Sequence, residues 1–257
     1  LADTGMDNKS MLKCRNMFAV GLVCWLFNRD LNIAEDFIRE KFSKKPEIAE
    51  ANIKVVRAGY DYGHNTHASV AHTYKIESKA AVPGKYMDIT GNKATAYGFI
   101  AAAEKAGLKL YLGSYPITPA TDVLHELSKH KSLGVTTVQC EDEIAGCASA
   151  IGASYAGALA VTSTSGPGIC LKSEAMNLAV IMELPLIVLD VQRGGPATGL
   201  PTKSEQTDLL QVLFGRNGES PMPVIAATSP TDCFDSAYMA AKIALEHMTP
   251  VVLLTDA

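Results

Sequence analysis

Leu108-Lys109-Leu110-Tyr111-Leu112-Gly113-Ser114-Tyr115-Pro116-Ile117-Thr118-Pro119 sets an apolar run against a turn that carries two prolines. Residues 108–112 read as a strand, and residues 119–130 as the helix that follows it. The next expected strand, 135–139, runs straight into Glu141-Asp142-Glu143. Two strand ends therefore deliver a threonine and a carboxylate to one edge of a parallel sheet. In open α/β sheets that edge is where ligands sit.

Working outward, strands are expected at 86–90, 108–112, 135–139, 159–163, 186–191, 224–227 and 251–255, with helical stretches between them. Such alternation predicts an α/β fold, a mainly parallel doubly wound sheet with helices on both faces. The residues ahead of it carry no strand pattern. Helices are expected at 11–27, at 33–42 with Asn32 and Glu35 placed as a capping box, and at 46–58, stopping at Gly59. Three helices without a sheet bury their apolar faces only against something else, so residues 1–60 read as the helical tail of a preceding domain. Residues 61–85 are polar, broken by Gly63, Pro83 and Gly84, and read as a linker to a domain over 86–257. The chain starts at Leu1 and closes on the apolar run Val251-Val252-Leu253-Leu254, so it is expected to be part of a longer polypeptide.

Composition narrows the function. With 257 residues, 47% of them hydrophobic, the chain can bury a sizeable core. A net charge of -4 and no basic run along one face argue against nucleic acid. The apolar stretch 17–27 is too short for a bilayer span. Six cysteines without a Cys-x-x-Cys pair or zinc spacing read as reduced thiols of a cytoplasmic protein. His64, His67 and His72 have no carboxylate or cysteine at ligand spacing, and no metal site is expected on this chain.

Each candidate residue has a plain structural alternative. Thr118-Pro119 fits an N-cap ahead of a first-turn proline as well as a ligand-facing threonine. Acids at 141–143 suit the positive end of any helix. Glu143 differs from its neighbours because Ile144-Ala145-Gly146 follows it, so it is expected to face inward while Glu141 and Asp142 stay wet. Arg193, ahead of Gly194-Gly195-Pro196, is expected on a flexible crevice rim, either gripping a carboxylate ligand or in a rim ion pair. The helix 141–155 is rich in Ala and Gly and should pack closely against a neighbour or a flat ligand. Ser165-Gly166-Pro167-Gly168 lacks a phosphate-loop ending and reads as an ordinary strand-to-helix turn. Thr118, Glu143 and Arg193 are expected to converge on one open cleft.

Four motifs in order carry a family resemblance. They are Gly113-Ser114-Tyr115-Pro116-Ile117-Thr118-Pro119-Ala120-Thr121, Glu143-Ile144-Ala145-Gly146, Thr164-Ser165-Gly166-Pro167-Gly168, and Gln192-Arg193-Gly194-Gly195-Pro196 with Thr198-Gly199-Leu200-Pro201-Thr202. Together they resemble the α chain of the 2-oxoacid:ferredoxin oxidoreductases, in particular the 2-oxoglutarate (KorA-like) branch. The resemblance covers residues 86–257, and residues 10–60 are similar to the end of the γ-type domain fused ahead of α in that branch.

The resemblance implies a thiamine diphosphate-binding fold in which residues 86–257 form the pyrimidine-binding domain. It implies oxidative decarboxylation of a 2-oxo acid to an acyl-CoA, with electrons passing to ferredoxin. Glu143 would hydrogen-bond the aminopyrimidine ring of thiamine diphosphate. The Tyr115-Pro116-Ile117 backbone would flank that ring, and Thr118 and Arg193 would hold the 2-oxo acid. Ala120 departs from the serine of many relatives. The chain has no Gly-Asp-Gly followed by Asn for the Mg2+-diphosphate end, and no cysteine set for an iron-sulfur cluster. Both would belong to a separate β subunit, making the active site shared and the protein an oligomer. Alternatives from the residues are the pyrimidine domain of a pyruvate-type or transketolase-like enzyme, or a non-catalytic docking module.

Overall fold

Gly21 and Gly59 let two helices touch along their backbones. A Cβ at Gly21 would fall 1.9 Å from the Val56 carbonyl oxygen, and one at Gly59 would fall 2.0 Å from that of Phe18. The computed structural model describes residues 8–66, 73–76 and 82–256 and divides the chain into two compact units, Leu1–Lys85 and Tyr86–Ala257. The first holds α1 (Asn8–Lys13), α2 (Arg15–Leu26), α3 (Leu31–Lys41) and α4 (Pro46–Asn65). Helix α4 thus runs through Gly59, the expected stop, and takes the first five residues of the expected linker. The glycine serves the contact with α2 rather than ending the helix.

The expected capping box on α3 is also replaced. Asp30 is the cap, accepting from the Asn32 amide at 2.9 Å. Glu35 turns inward instead and takes Arg57 Nε at 2.6 Å and Nη2 at 2.7 Å, tying α3 to α4. Ile38, Ala49, Ile53 and Val56 form the small core between these helices.

In the second unit residues 86–90 are not a strand. Tyr86 and Met87 stay exposed, the stretch is not one of the six strands of the sheet, and Thr90 caps the next helix by accepting from the Lys93 amide at 3.3 Å. The order is α5 (Gly91–Ala106), β1 (Leu110–Ser114), α6 (Thr121–Leu127), a 3-10 turn (Ser128–Leu133), β2 (Val135–Gln139), α7 (Glu143–Tyr155) and β3 (Leu159–Thr164). Then follow α8 (Gly166–Ile181), β4 (Leu186–Gln192), α9 (Leu209–Phe214), β5 (Val224–Ala226), α10 (Pro230–His247) and β6 (Val251–Asp256). Six parallel strands lie in the order β2-β1-β3-β4-β6-β5.

Alternate side chains of β4 serve two cores. Ile187, Leu189 and Val191 pack with Phe99, Val123 and Ala240 of α5, α6 and α10 on one face. Leu186 and Val188 pack with Cys147, Ile169 and Met176 of α7 and α8 on the other. A strand covered on both faces has no polar side to show, which explains its nearly continuous apolar run. Chain order reverses around β1, whose neighbours are β2 and β3, so the switch point lies between the carboxyl ends of β1 and β3.

Candidate functional site

Three strand ends carry the candidate residues, and each is held by its own hydrogen bonds. Beyond β1, successive carbonyls of the proline turn are gripped by separate side chains. Thr121 Oγ1 donates to Ile117 O at 3.0 Å, Arg193 Nη1 to Thr118 O at 2.6 Å, and Asn92 Nδ2 to Pro119 O at 3.0 Å. Ile117 packs on the α5/α6/α10 core, while Tyr115 remains 39% exposed. Thr118 is exposed and does not cap the helix. The residue ahead of α6 is Ala120, which offers no side-chain cap, so the N-cap alternative falls.

Beyond β2 the acids separate by role. Asp142 caps α7, its Oδ1 accepting from the Ala145 amide at 2.7 Å, and Glu141 is exposed. Glu143 is 8% exposed and faces inward, beside Gly168 and below the start of α8. Its carboxylate accepts no hydrogen bond among the described residues, and its carbonyl accepts from Lys172 Nζ at 3.0 Å. Gly113 brings α7 down onto β1, since a Cβ there would come within 2.6 Å of the Gly146 carbonyl oxygen. The segment Ser165-Gly166-Pro167-Gly168 is the strand-to-helix turn between β3 and α8.

Arg193, beyond β4, is 7% exposed. The expected flexible rim is therefore corrected: the guanidinium is buried as a clamp between two loops. Nη1 takes Thr118 O, Nη2 donates to Thr198 O at 2.8 Å, and Nε has no partner. Its hydrogen bonds are to main-chain carbonyls, and no ion pair to it is found among the described residues. Loop 194–205 folds over it because Gly194 N donates to Lys203 O at 2.8 Å and Gly195 N to Glu205 Oε2 at 2.9 Å. Gly199 permits that fold, with φ 54 and a Cβ position only 1.9 Å from the Gly194 oxygen.

Thr118 and Arg193 are thus joined directly, whereas Glu143 sits on the neighbouring strand ends. A cavity of about 410 Å³ opens beside Arg193, lined also by Gly166, Pro167, Cys170 and Asp208. Neither Thr118 nor Glu143 lines it. His67 and His72 lie outside the described residues. No helix among the described residues is long and apolar enough to cross a membrane.

Sequence reasoning passed over three polar groups here. Lys172 and Asp190 are fully buried, and Asp208 lines the cavity. The signal for the first two was available: a lysine inside the apolar helix 166–181 and an aspartate inside Leu186-Ile187-Val188-Leu189-Asp190-Val191. Asp190 faces Asp208 without a hydrogen bond of regular geometry, and both Asp190 oxygens lack a partner among the described residues. Burial first, then the neighbouring Asp208 charge, pushes the Asp190 carboxyl well above the ordinary carboxylate range. Burial raises Asp208 as well.

The native state therefore keeps a proton that the unfolded chain has released, between the ordinary carboxylate pKa and the raised native one. Stability is greatest below that window and falls as pH rises through it. Asp190→Asn should flatten this dependence. Its thermal unfolding midpoint should match the wild type near pH 4 and exceed it increasingly toward neutral pH. A constant difference across pH would place the Asp190 charge elsewhere.

Comparison with known proteins gives a consistent picture. The family model described as pyruvate flavodoxin/ferredoxin oxidoreductase, thiamine diphosphate-binding, matches residues 101–257. The model described as pyruvate ferredoxin/flavodoxin oxidoreductase matches residues 4–62. The 2-oxoglutarate oxidoreductase subunit KorA of Mycobacterium tuberculosis is 58% identical over 98% of this chain and 38% of its own length. The 2-oxoacid:ferredoxin oxidoreductase 1 subunit alpha of Aeropyrum pernix is 32% identical over 98% of this chain and 39% of its own. Among solved structures, the 2-oxoglutarate:ferredoxin oxidoreductase from Magnetococcus marinus with 2-oxoglutarate, coenzyme A and succinyl-CoA bound superposes with a TM-score of 0.75 at 37% identity. It matches over 96% of this chain and 43% of its own. This chain spans less than half the length of these relatives.

Proposed function

The chain belongs to the pyruvate flavodoxin/ferredoxin oxidoreductase family, and on that premise we propose that residues 86–257 are the pyrimidine-binding domain of a 2-oxoglutarate:ferredoxin oxidoreductase α subunit. Residues 1–60 are the end of the γ-type domain fused ahead of it. The assembled enzyme decarboxylates a 2-oxo acid oxidatively to an acyl-CoA and passes two electrons to ferredoxin in the cytoplasm. The relatives named for 2-oxoglutarate support that oxo acid over pyruvate. Mg2+ and the iron-sulfur cluster are assigned to the partner β subunit, as the family resemblance implies.

One observation carries the reading: Glu143 is buried at the edge of the switch point, and its carboxylate accepts no hydrogen bond among the described residues. A carboxyl placed here without a protein partner can share a proton with a ring nitrogen of the aminopyrimidine, which accepts in the neutral ring and donates once protonated. The residues present therefore fit thiamine diphosphate. When bound, the cofactor would supply a ring carbon that becomes a carbon nucleophile toward the keto group once its proton is removed. Glu143 holds and returns a proton at the aminopyrimidine nitrogen. The carbonyls of Tyr115 to Ile117, fixed by Ser114, Thr121 and the Ile117 anchor, flank the ring. Thr118, exposed at the same turn, would hold the reacting end of the substrate.

Arg193 makes two hydrogen bonds to loop carbonyls, which leaves one N–H on each of Nη1 and Nη2 for a substrate carboxylate. Arg193→Ala should raise KM for the oxo acid by about 10–100-fold, with a smaller change in kcat. An unchanged KM would remove it from the substrate site. The proposal as a whole is tested by assembling the full-length α subunit with its β partner and assaying ferredoxin reduction with 2-oxoglutarate, pyruvate and other oxo acids. Turnover that needs thiamine diphosphate and coenzyme A and prefers 2-oxoglutarate is expected. No cofactor-dependent turnover with any oxo acid would favour a docking module instead.

A further inference from the structure

Lys172 has no exposed surface, and its Nζ reaches two other elements. It donates to the Thr162 hydroxyl of β3 at 2.8 Å and to the Glu143 carbonyl at the start of α7 at 3.0 Å. The groups facing it, Cys147, Glu143, Cys140 and Asp142, act on it only through space, and burial drives its pKa down. An ammonium in such a place costs several kcal/mol, on the order of what a methionine of similar length would save. Filling the core does not explain it.

We propose that Lys172 is a positioning residue: it holds the main chain of Glu143 and thereby sets where that carboxylate stands against the thiamine diphosphate ring. The inference rests on the reading of Glu143 given above and extends it to a residue that touches neither cofactor nor substrate.

The geometry gives the lysine this leverage. From outside, Asp142 fixes the first turn of α7 through the Ala145 amide at 2.7 Å. From inside, Lys172 fixes the same turn through the Glu143 carbonyl. The direction of a side chain at a helix's first residue follows from the backbone of that residue, and both sides of that backbone are now tied. The Thr162 hydroxyl anchors Nζ to β3, a central strand whose residues are all buried. Glu143 is thereby registered to the sheet rather than to its own exposed helix end.

The test uses the full-length α subunit assembled with its β partner. Lys172→Met keeps the chain length and removes charge and donors. It should slow exchange of the cofactor's reactive ring-carbon proton by about 10²-fold, and kcat with it, while KM for the oxo acid holds within about twofold. In the cofactor-free protein the amides of the first turn of α7 should lose hydrogen-exchange protection while those of β3 and β4 keep theirs. Should Lys172→Met fail to fold, Thr162→Val decides, since it keeps the lysine and removes its anchor. A loss of about tenfold in proton exchange is expected there. Wild-type proton exchange and α7 protection in the folded lysine variant, or in Thr162→Val where that variant decides, would overturn the proposal. Glu143→Gln separates the two levels: if it exchanges at the wild-type rate, the reading of Glu143 fails, whereas a slow Glu143 variant beside a fast lysine variant sinks the positioning role alone.

Discussion

Glu143→Gln should lower kcat for oxo-acid decarboxylation by about 10³-fold in the assembled enzyme, with the fold and KM nearly unchanged. The amide has the same shape, so α7 keeps its Asp142 cap and its Lys172 contact. It loses only the ability to hold and return a proton, and such groups contribute about 10²–10⁴-fold. Glutamine can still hydrogen-bond the ring nitrogen, but it cannot give up or take back a proton there. Single-turnover decarboxylation, followed with circular dichroism to check the fold, measures the effect. Activity within tenfold of the wild type would take Glu143 out of the chemistry.

Gly168→Ala should damage both packing and the site with a single methyl. The new Cβ would fall 1.9 Å from Thr164 Oγ1 and 2.8 Å from Glu143 Cγ. Thr164 is fully buried on β3 and cannot swing into solvent, so α8 must move off the sheet. Overpacking of this kind costs about 3 kcal/mol, read as a fall in the thermal unfolding midpoint. Adding Thr164→Ala removes the worse of the two contacts and should recover most of the stability. The Glu143 contact persists, so decarboxylation should stay impaired in the double variant. Recovery of both together would mean that Glu143 is free to move without consequence.

The strand-helix alternation of residues 108–256 was legible because each element carries its own period, and β2 begins and ends where the sequence placed it. Strand β1 lies two residues later than the composition suggests. Gly113 and Ser114 read as turn residues, yet they pair with Val138 and Gln139 on one side and Thr162 and Ser163 on the other. The reverse happened at 86–90, where a plausible strand does not join the sheet. Gly59 failed as a stop signal for a similar reason, since its meaning lies in Phe18 of another helix.

Within the candidate site, the inward turn of Glu143 was readable from the Ile144-Ala145-Gly146 that follows it, because a helix's buried face shows in its own residues. Arg193 was misplaced because Gly194-Gly195-Pro196 suggests a loose rim, whereas loop 194–205 closes over the guanidinium through bonds no local pattern reveals. Lys172 went unweighed because its two acceptors lie 10 and 29 residues away in the chain.

Sequence alone decided the strand-helix alternation of residues 108–256, that the sheet is parallel, and which acid faces inward, since each depends on residues a few positions apart. Tertiary structure alone decided that Arg193 closes on Thr118 across 75 residues, that Lys172 meets Glu143, and that Asp190 is left facing Asp208. Those contacts arise only after the order β2-β1-β3-β4 has set the strand ends side by side. Burial then makes each unmet donor or carboxylate costly enough to matter.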